Sequence, residues 1–131
     1  MERPGHGSSP AEGARRRTLL ARRGEDAAAL HLERAGYRIL ARNVRVGHDE
    51  ADLLALTPAG AVAVVEVKAR AGPWRPEERV DAAKRRRLAR LAAALACRGG
   101  FRGRMFQFDV VSVREVGGRT EVWHWPHAFD G

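Results

Sequence analysis

Four side chains in two neighbouring apolar segments have the types and spacing needed for metal-dependent phosphate chemistry. Glu66 and Lys68 lie two residues apart in the valine-rich stretch AVAVVEVKAR, and Glu50 and Asp52 lie two apart in HDEADLLAL. Residues two apart in a strand share one face of the sheet. Neighbouring carboxylates can coordinate Mg²⁺, and a nearby ammonium can orient a water molecule and stabilise charge that develops on a phosphate. Hydrolysis of a phosphodiester requires this combination.

Whether these side chains meet depends on how the two segments pair. The residues TPAG between them predict a hairpin turn. If residues 57 and 61 pair, Asp52 lies opposite Glu66 and Glu50 lies opposite Lys68, whereas a shift of one residue would place the two sets on opposite faces. The sequence leaves this register open, and the chemistry favours a common face. The alternative is an ordinary ion pair between Glu66 and Lys68 on a solvated surface.

The composition points to a polyanionic partner. The chain has 131 residues, 24 of them basic and 16 acidic, and a net charge of +8. Such an excess favours nucleic acid, although an anionic membrane surface or simple solubility would also account for it. Only two of the 24 basic residues are lysines, Lys68 and Lys84, so these positions indicate a need for a compact ammonium rather than a guanidinium fork.

Several classes of protein are excluded or disfavoured. A single cysteine, Cys97, allows neither an intrachain disulfide nor a zinc site built from cysteines. No apolar run is long enough for a membrane span, and the N-terminal segment lacks the apolar core of a signal peptide. We therefore expect a cytoplasmic protein with no membrane partner.

The segments around these residues predict the element order α-β-β-β-α-β-β. Residues 1–13 are rich in Gly, Pro and Ser and are expected to form a disordered tail, and residues 14–131 one domain. Helices are predicted at 18–35 and 77–98, each ended by a glycine. The expected strands are YRILARNV, HDEADLLAL, AVAVVEVKAR, MFQFDVVSVRE and TEVWHW. The simplest architecture is an α/β (α+β) fold, a mixed sheet with a helix on each face.

The ordered set of motifs resembles the YraN family of small bacterial proteins. The motifs are GEDAAALHL, RN, HDEADLL, VVEVKAR, FDVVSV and HAF, spread over about residues 20–129. The family is placed in the restriction-endonuclease-like superfamily and is close in pattern to archaeal Holliday-junction resolvases. The resemblance implies an endonuclease-like domain that uses Mg²⁺ or Mn²⁺. Two departures are Asp49, where the family usually has glycine, and His127, at the family's asparagine position.

The resemblance also implies roles for matching positions. The implied metal ligands are Asp52, Glu66, Glu25 and the backbone carbonyl of Val67. The implied catalytic residues are Lys68, Glu66 and Asp52, with Glu50 as an accessory carboxylate. The alternative for Glu25 is that it is an ordinary exposed glutamate on the first helix, with no role in a site.

Phosphate contacts are expected from basic residues near the second helix. These are Lys84, Arg85, Arg86 and Arg87, together with Arg42. Phosphate contacts of this kind add affinity that depends on salt and not on sequence, but a solvated face would look the same. Trp123 and Trp125 are interpreted as core or dimer surface rather than a binding platform.

The sequence hypothesis is a Mg²⁺-dependent nuclease that hydrolyses phosphodiester bonds in DNA, with branched or recombination intermediates among its substrates. The alternative is a non-catalytic nucleic-acid-binding protein of the same fold that assists DNA processing. A third class is a structural protein whose acidic and basic pairs are surface salt bridges. Symmetric cutting of two strands would suggest a homodimer.

Overall fold

The computed structural model describes residues 10–71 and 80–130, without the side chains of Arg16, Arg17 and Ala71. Two α-helices and five strands follow one another in the predicted order. They are α1 (Pro10–Arg34), β1 (Arg38–Val46), β2 (Asp49–Leu56), β3 (Val62–Ala71), α2 (Ala82–Ala96), β4 (Phe106–Val116) and β5 (Arg119–Phe129), with a short 3₁₀ turn at Gly99–Phe101 before β4.

The five strands form one mixed sheet in the order β1-β2-β3-β4-β5. The β1–β2, β2–β3 and β4–β5 pairs are antiparallel, and the central β3–β4 pair is parallel. A parallel neighbour cannot be reached by a tight turn, so α2 provides the crossover between β3 and β4. The predicted α/β (α+β) architecture is confirmed.

Buried apolar side chains form one cluster on each face of the sheet. The α1 cluster contains Ala28, Ala29, Leu32, Leu53, Ala63, Val65, Val111 and Val113. The α2 cluster contains Ala51, Leu54, Val62, Val64, Val80, Leu88, Leu91, Ala92, Leu95 and Phe108. The first residues of β3 alternate between the two clusters, which explains why this strand is apolar on both faces. Continuing the alternation places Glu66 and Lys68 on the α2 face.

Gly24 allows α1 to approach the sheet closely. A Cβ atom at this position would lie 2.4 Å from the Cβ of Ala69 on β3. That distance is far below van der Waals contact, so only glycine fits without movement of the helix. The close approach brings the neighbouring residue of α1, Glu25, to the end of β3.

The helix boundaries differ from those predicted. The first helix begins at Pro10, so residues 10–13, expected to be disordered, are helical, and the fixed φ of proline suits the first helical turn. The second helix begins at Ala82, where the side chain of Asp81 accepts a hydrogen bond from the backbone N–H of Lys84 at 2.8 Å. Residues 1–9 and 77–79 lie outside the described residues.

β1 is less regular than its sequence pattern suggests. The segment YRILARNV was predicted to form a strand, and it does, but its register with β2 shifts between Ile39 and Ala41. Ile39 therefore packs against the α1 cluster and Ala41 against the α2 cluster. Further along the strand, Asn43 has a φ of 51°, in the left-handed region.

Within residues 10–71 and 80–130, neither helix is long and apolar enough to cross a bilayer.

Candidate metal and phosphate site

The hairpin of β2 and β3 has the register that brings the two acidic segments together. The pairs run from Leu56–Val62 to Leu53–Val65, and the N–H of Thr57 donates to the carbonyl of Ala61 at 2.8 Å. Residues 57 and 61 therefore pair, which is the register that the sequence left open and the chemistry favoured. Extended by one position, this register places residue 52 level with residue 66.

Backbone pairing between β2 and β3 ends at the pair Leu53–Val65. Beyond that pair, a side chain instead of a backbone carbonyl accepts a hydrogen bond from β3. Asp52 Oδ2 accepts a hydrogen bond from the N–H of Val67 at 2.7 Å. A hydrogen bond from an N–H to an ionised carboxylate is stronger than one to a neutral carbonyl. Asp52 is thus held against β3, beside Glu66, in a fixed orientation.

Glu66 is a buried carboxylate between two ammonium groups. Its side chain is 8% exposed, and its two oxygens each lie 3.7 Å from a lysine nitrogen, Oε2 from Lys68 Nζ and Oε1 from Lys84 Nζ. These distances suit ion pairs but are too long for direct hydrogen bonds. Oε1 is buried, and none of the described residues forms a hydrogen bond with it. A buried polar atom without a partner is rare and is typical of a site that takes an ion or a water molecule.

The environment of Glu66 favours its protonated form. Burial and the charge of Asp52 raise the pKa of Glu66, a hydrogen bond with Asp52 adds to the rise, and the charges of Lys84 and Lys68 oppose it, so that the pKa is about 7. Two carboxyl groups in one site resist carrying two negative charges. A divalent cation would remove that conflict, so Asp52 and Glu66, the carboxylate pair, fit a metal ion chemically.

Glu25 lies within electrostatic reach of the carboxylate pair. Burial and the charge of Asp52 raise the pKa of Glu25, whereas Arg42 and a hydrogen bond with Asn43 lower it. No role for Asn43 was predicted from the sequence; it lies within β1 and has a left-handed backbone. Within the described part of the chain, no three or more His, Cys, Asp or Glu side chains are grouped closely enough to hold an ion. Glu25 is therefore a neighbour of the pair, and its role as a third ligand stays a prediction.

Glu50 is not brought to the carboxylate pair. Its Oε2 accepts a hydrogen bond from Arg45 Nε at 2.7 Å, on the neighbouring strand β1. The expected position of Glu50 opposite Lys68 is wrong, because β2 and β3 no longer pair beyond Leu53. The adjacent Asp49 is held by two hydrogen bonds from Arg90 of α2, at 2.9 and 3.2 Å.

The basic residues expected to bind phosphate divide into four groups. Lys84 joins the carboxylate pair. Arg85 turns away, since its Nε donates to the carbonyl of Val80 at 3.0 Å and its guanidinium lies 5.3 Å from the ring centre of Phe129. Arg42 forms an ion pair with Asp26 of α1. Arg86 and Arg87 are exposed on α2.

Trp123 and Trp125 are not core residues. Their exposed fractions are 54% and 37%, so the first part of the interpretation, core residues, is wrong, and the second part, a dimer surface, stays a prediction. The strand pattern did not reveal this, because alternating residues of an outer strand read the same whether or not a helix covers that face.

A second buried carboxylate, Asp109 on β4, lies apart from the site. It is completely buried and accepts four hydrogen bonds: from Tyr37 Oη at 2.9 Å, Gln107 Nε2 at 2.8 Å, His124 Nε2 at 2.8 Å and the N–H of His127 at 3.2 Å. Burial alone would raise the pKa of Asp109, but the hydrogen bonds outweigh it and hold the pKa below its ordinary value. This network ties β5 and Tyr37, which lies just before β1, to β4. Its only sequence signal is an aspartate within the apolar run FQFDVV.

Comparison with known proteins agrees with the motifs. The profile of the Uncharacterised protein family UPF0102 matches residues 24–113, which include all the carboxylates and lysines of the site. The chain belongs to this family. UPF0102 is the YraN family, so the resemblance is confirmed.

Curated relatives in UPF0102 match most of the chain. A UPF0102 protein of Symbiobacterium thermophilum is 50% identical over 92 residues, 69% of this chain and 77% of the relative. One of Syntrophotalea carbinolica is 40% identical over 116 residues, 87% of this chain and 94% of the relative. One of Myxococcus xanthus is 40% identical over 109 residues, 82% and 86% of the two chains.

Proposed function

We propose that this UPF0102 protein is a Mg²⁺-dependent nuclease that hydrolyses phosphodiester bonds in DNA and acts in the cytoplasm. One observation carries the proposal. Glu66, a buried carboxylate with an unpartnered oxygen, lies beside Asp52 and between the only two lysines of the chain. Branched or recombination intermediates are the DNA substrates that the family resemblance favours.

The carboxylate pair suits Mg²⁺ or Mn²⁺ as the cofactor. Hard divalent cations take carboxylate oxygens, and Mg²⁺ usually keeps several waters and binds substrate phosphate in addition to one or two protein ligands. Asp52 and the unpartnered Oε1 of Glu66 would hold the ion, with Val67 carbonyl and Glu25 as further candidates. A divalent cation there would polarise a phosphate oxygen and lower the pKa of water.

The lysines act on the substrate from the same place. Lys68 and Lys84 are 34% and 28% exposed in their side chains, so each ammonium can reach a bound phosphate while it stays near Glu66. In the proposed reaction Lys68 donates a hydrogen bond that orients the attacking water, and Lys84 offsets negative charge on the phosphate. The net charge of +8 would favour the approach of DNA at low salt.

Metal titration tests the site directly. Calorimetry with Mg²⁺ or Mn²⁺ should show binding to the wild type and none to Asp52→Asn, since Asn can still accept the hydrogen bond of Val67 but lacks the charge. Asp49→Asn, on the same strand and paired with Arg90, is the matched control and should bind like the wild type. The titration is repeated with a short DNA duplex, because substrate phosphate can complete the coordination. Absence of binding to the wild type in both titrations would rule out the proposed site.

Cleavage assays then test the reaction. Branched, nicked, single-stranded and duplex DNA are incubated with the wild type, Asp52→Asn and Lys68→Met in Mg²⁺. We expect cleavage of at least one substrate by the wild type and a large loss in both variants. Equal cleavage by wild type and Asp52→Asn would point to a contaminating nuclease and contradict the assignment.

A second candidate is a non-catalytic nucleic-acid-binding protein that assists DNA processing. It is favoured by the lack, in residues 10–71 and 80–130, of any grouping of three or more metal-ligand side chains. This alternative predicts salt-dependent DNA binding that is unchanged by Mg²⁺ and by Asp52→Asn, with no cleavage of any substrate.

A further inference from the structure

The two exposed tryptophans of β5 lie in line with the candidate catalytic residues across the sheet. Pairing between β3 and β4 is parallel and pairing between β4 and β5 is antiparallel, and both registers are continuous through this region. Read from β3 through β4 to β5, the two rows are Lys68–Ser112–Trp123 and Glu66–Val110–Trp125. Paired residues in a sheet point to the same side, so each row shares one face.

That face is the α2 face. Val122 packs against the α1 cluster, and the His124 ring lies 5.3 Å from the ring of Tyr37 on the same side. Alternation along β5 therefore turns Trp123 and Trp125 to the opposite side, where Glu66 contacts Lys84 of α2. α2 itself lies mainly over β2 and β1. The indoles consequently remain 54% and 37% exposed.

The distance between the lysines and the tryptophans suits a polymer that contacts both. Neighbouring strands lie about 4.8 Å apart, so the backbone of Trp123 is about 10 Å from that of Lys68 across two strand spacings. The row beyond is Arg70–Arg114–Glu121, in which Arg114 and Glu121 form an ion pair at 2.9 Å. A nucleic-acid strand held by a phosphate at the lysines would thus have its adjacent bases beside the indoles.

We propose that Trp123 and Trp125 form a stacking platform for unpaired bases of the nucleic acid whose phosphate lies at Lys68 and Lys84. The proposal rests on the proposed function for the phosphate, and it narrows the substrate to single-stranded DNA or to branched DNA with unpaired bases. Indole rings stack on any base, so the platform gives affinity without sequence preference. Bases in an intact duplex are already stacked on each other and cannot use it.

The first test compares affinities in EDTA, where Mg²⁺-dependent cleavage is stopped. Fluorescence anisotropy measures binding of a short single-stranded oligodeoxynucleotide, of the same strand with abasic positions, and of the duplex. The wild type should bind the intact strand best. Trp123→Leu should weaken that binding roughly 5-fold to 150-fold, whereas Trp123→Phe, which keeps an aromatic face, should stay within a few-fold of the wild type. Leu40→Ala removes an exposed side chain from the other outer strand and should change nothing.

The abasic strand tests the platform through the ligand. It should bind the wild type less tightly than the intact strand does, and Trp123→Leu, which keeps Trp125, should distinguish the two strands less than the wild type does. Equal binding of intact and abasic strands by the wild type would overturn the platform. So would equal losses in Trp123→Leu and Trp123→Phe, or sedimentation that shows Trp123→Leu converting a dimer to a monomer, since the indoles would then belong to a subunit contact.

Cleavage by Asp52→Asn separates this inference from the proposed function. If no DNA is cleaved but binding depends on the ring at position 123, the nuclease proposal fails and the platform stands. If cleavage depends on Asp52 while Trp123→Leu binds and cleaves single strands like the wild type, the platform alone fails.

Discussion

Replacement of Glu66 by glutamine should change how the stability of the protein depends on pH. The pKa of Glu66 is raised from 4.5 to about 7, mainly by burial. Because the folded-state pKa lies above the unfolded value, the fold favours the protonated acid, and this contribution is complete below about pH 4.5 and is lost as the pH rises through about 7. At about 1.4 kcal/mol per pKa unit, ionisation in the fold costs up to about 3 kcal/mol.

Glutamine cannot ionise, so Glu66→Gln avoids this cost. The free energy of unfolding of the variant, relative to that of the wild type, should therefore rise by up to about 3 kcal/mol between about pH 5 and about pH 8. Urea unfolding at both pH values, with a chelator present, measures the change. Glu50→Gln, which removes an exposed carboxylate from the neighbouring strand, is the control for loss of a charge.

Two outcomes would refute this reasoning. A difference between variant and wild type that stays constant with pH would mean that Glu66 ionises in the fold as easily as in water. If the variant instead loses stability relative to the wild type as the pH rises, the charges of the lysines have a larger effect on the pKa of Glu66 than burial has. Added Mg²⁺ supplies a further check at about pH 8, because it should stabilise the wild type and not Glu66→Gln.

Three other substitutions test the packing around the sheet. Asp109→Ala should destabilise the protein by about 3 kcal/mol, since it leaves buried donors without an acceptor. Because the pKa of Asp109 is lowered, the difference in unfolding free energy between variant and wild type should narrow as the pH falls below about 4. If urea unfolding shows a difference that does not vary in acid, this expectation is contradicted. Gly24→Ala should cost about 1–3 kcal/mol through its clash with Ala69, and adding Ala69→Gly should recover much of it; additive losses in thermal unfolding would rule out the contact as the cause. His127→Asn should raise the free energy of unfolding by roughly 0.5 kcal/mol, because His127 has a φ of 51° and Asn tolerates this region well; a loss of stability would show that the imidazole itself contributes more.

The parts of the fold that depend on local chemistry could be predicted from the sequence. The turn TPAG fixes the register of β2 and β3, since Gly60 has a φ of 89° and its N–H donates to the carbonyl of Thr57 at 2.9 Å. The valine-rich pattern of β3 indicated burial on both faces, and the spacing of apolar residues gave the two helices. These features indicated that the strands of Asp52 and Glu66 pair, and the expected chemistry favoured the register that brings the two carboxylates together.

The features that were predicted wrongly or missed depend on contacts between residues distant in sequence or on breaks in regular structure. The position of Glu50 was wrong because pairing ends at Leu53, where the Asp52 side chain replaces a backbone acceptor. The Asp109 network was missed because one of its donors, Tyr37, is 72 residues away. The exposure of Trp123 depends on where α2 crosses the sheet, which no pattern within β5 encodes.

The two outer strands of the sheet are both interrupted, and this bears on how the protein behaves at high concentration. β1 carries the register shift at Ile39 and Ala41 and the left-handed Asn43, and β5 carries Pro126, which has no N–H, followed by the left-handed His127. A long, regular outer strand offers free N–H and C=O groups on which strands of other chains can add, the first step towards aggregates. Bulges and proline remove that template. We therefore expect copies of this protein to associate, where they do, through the faces of the sheet and not by extending it from molecule to molecule.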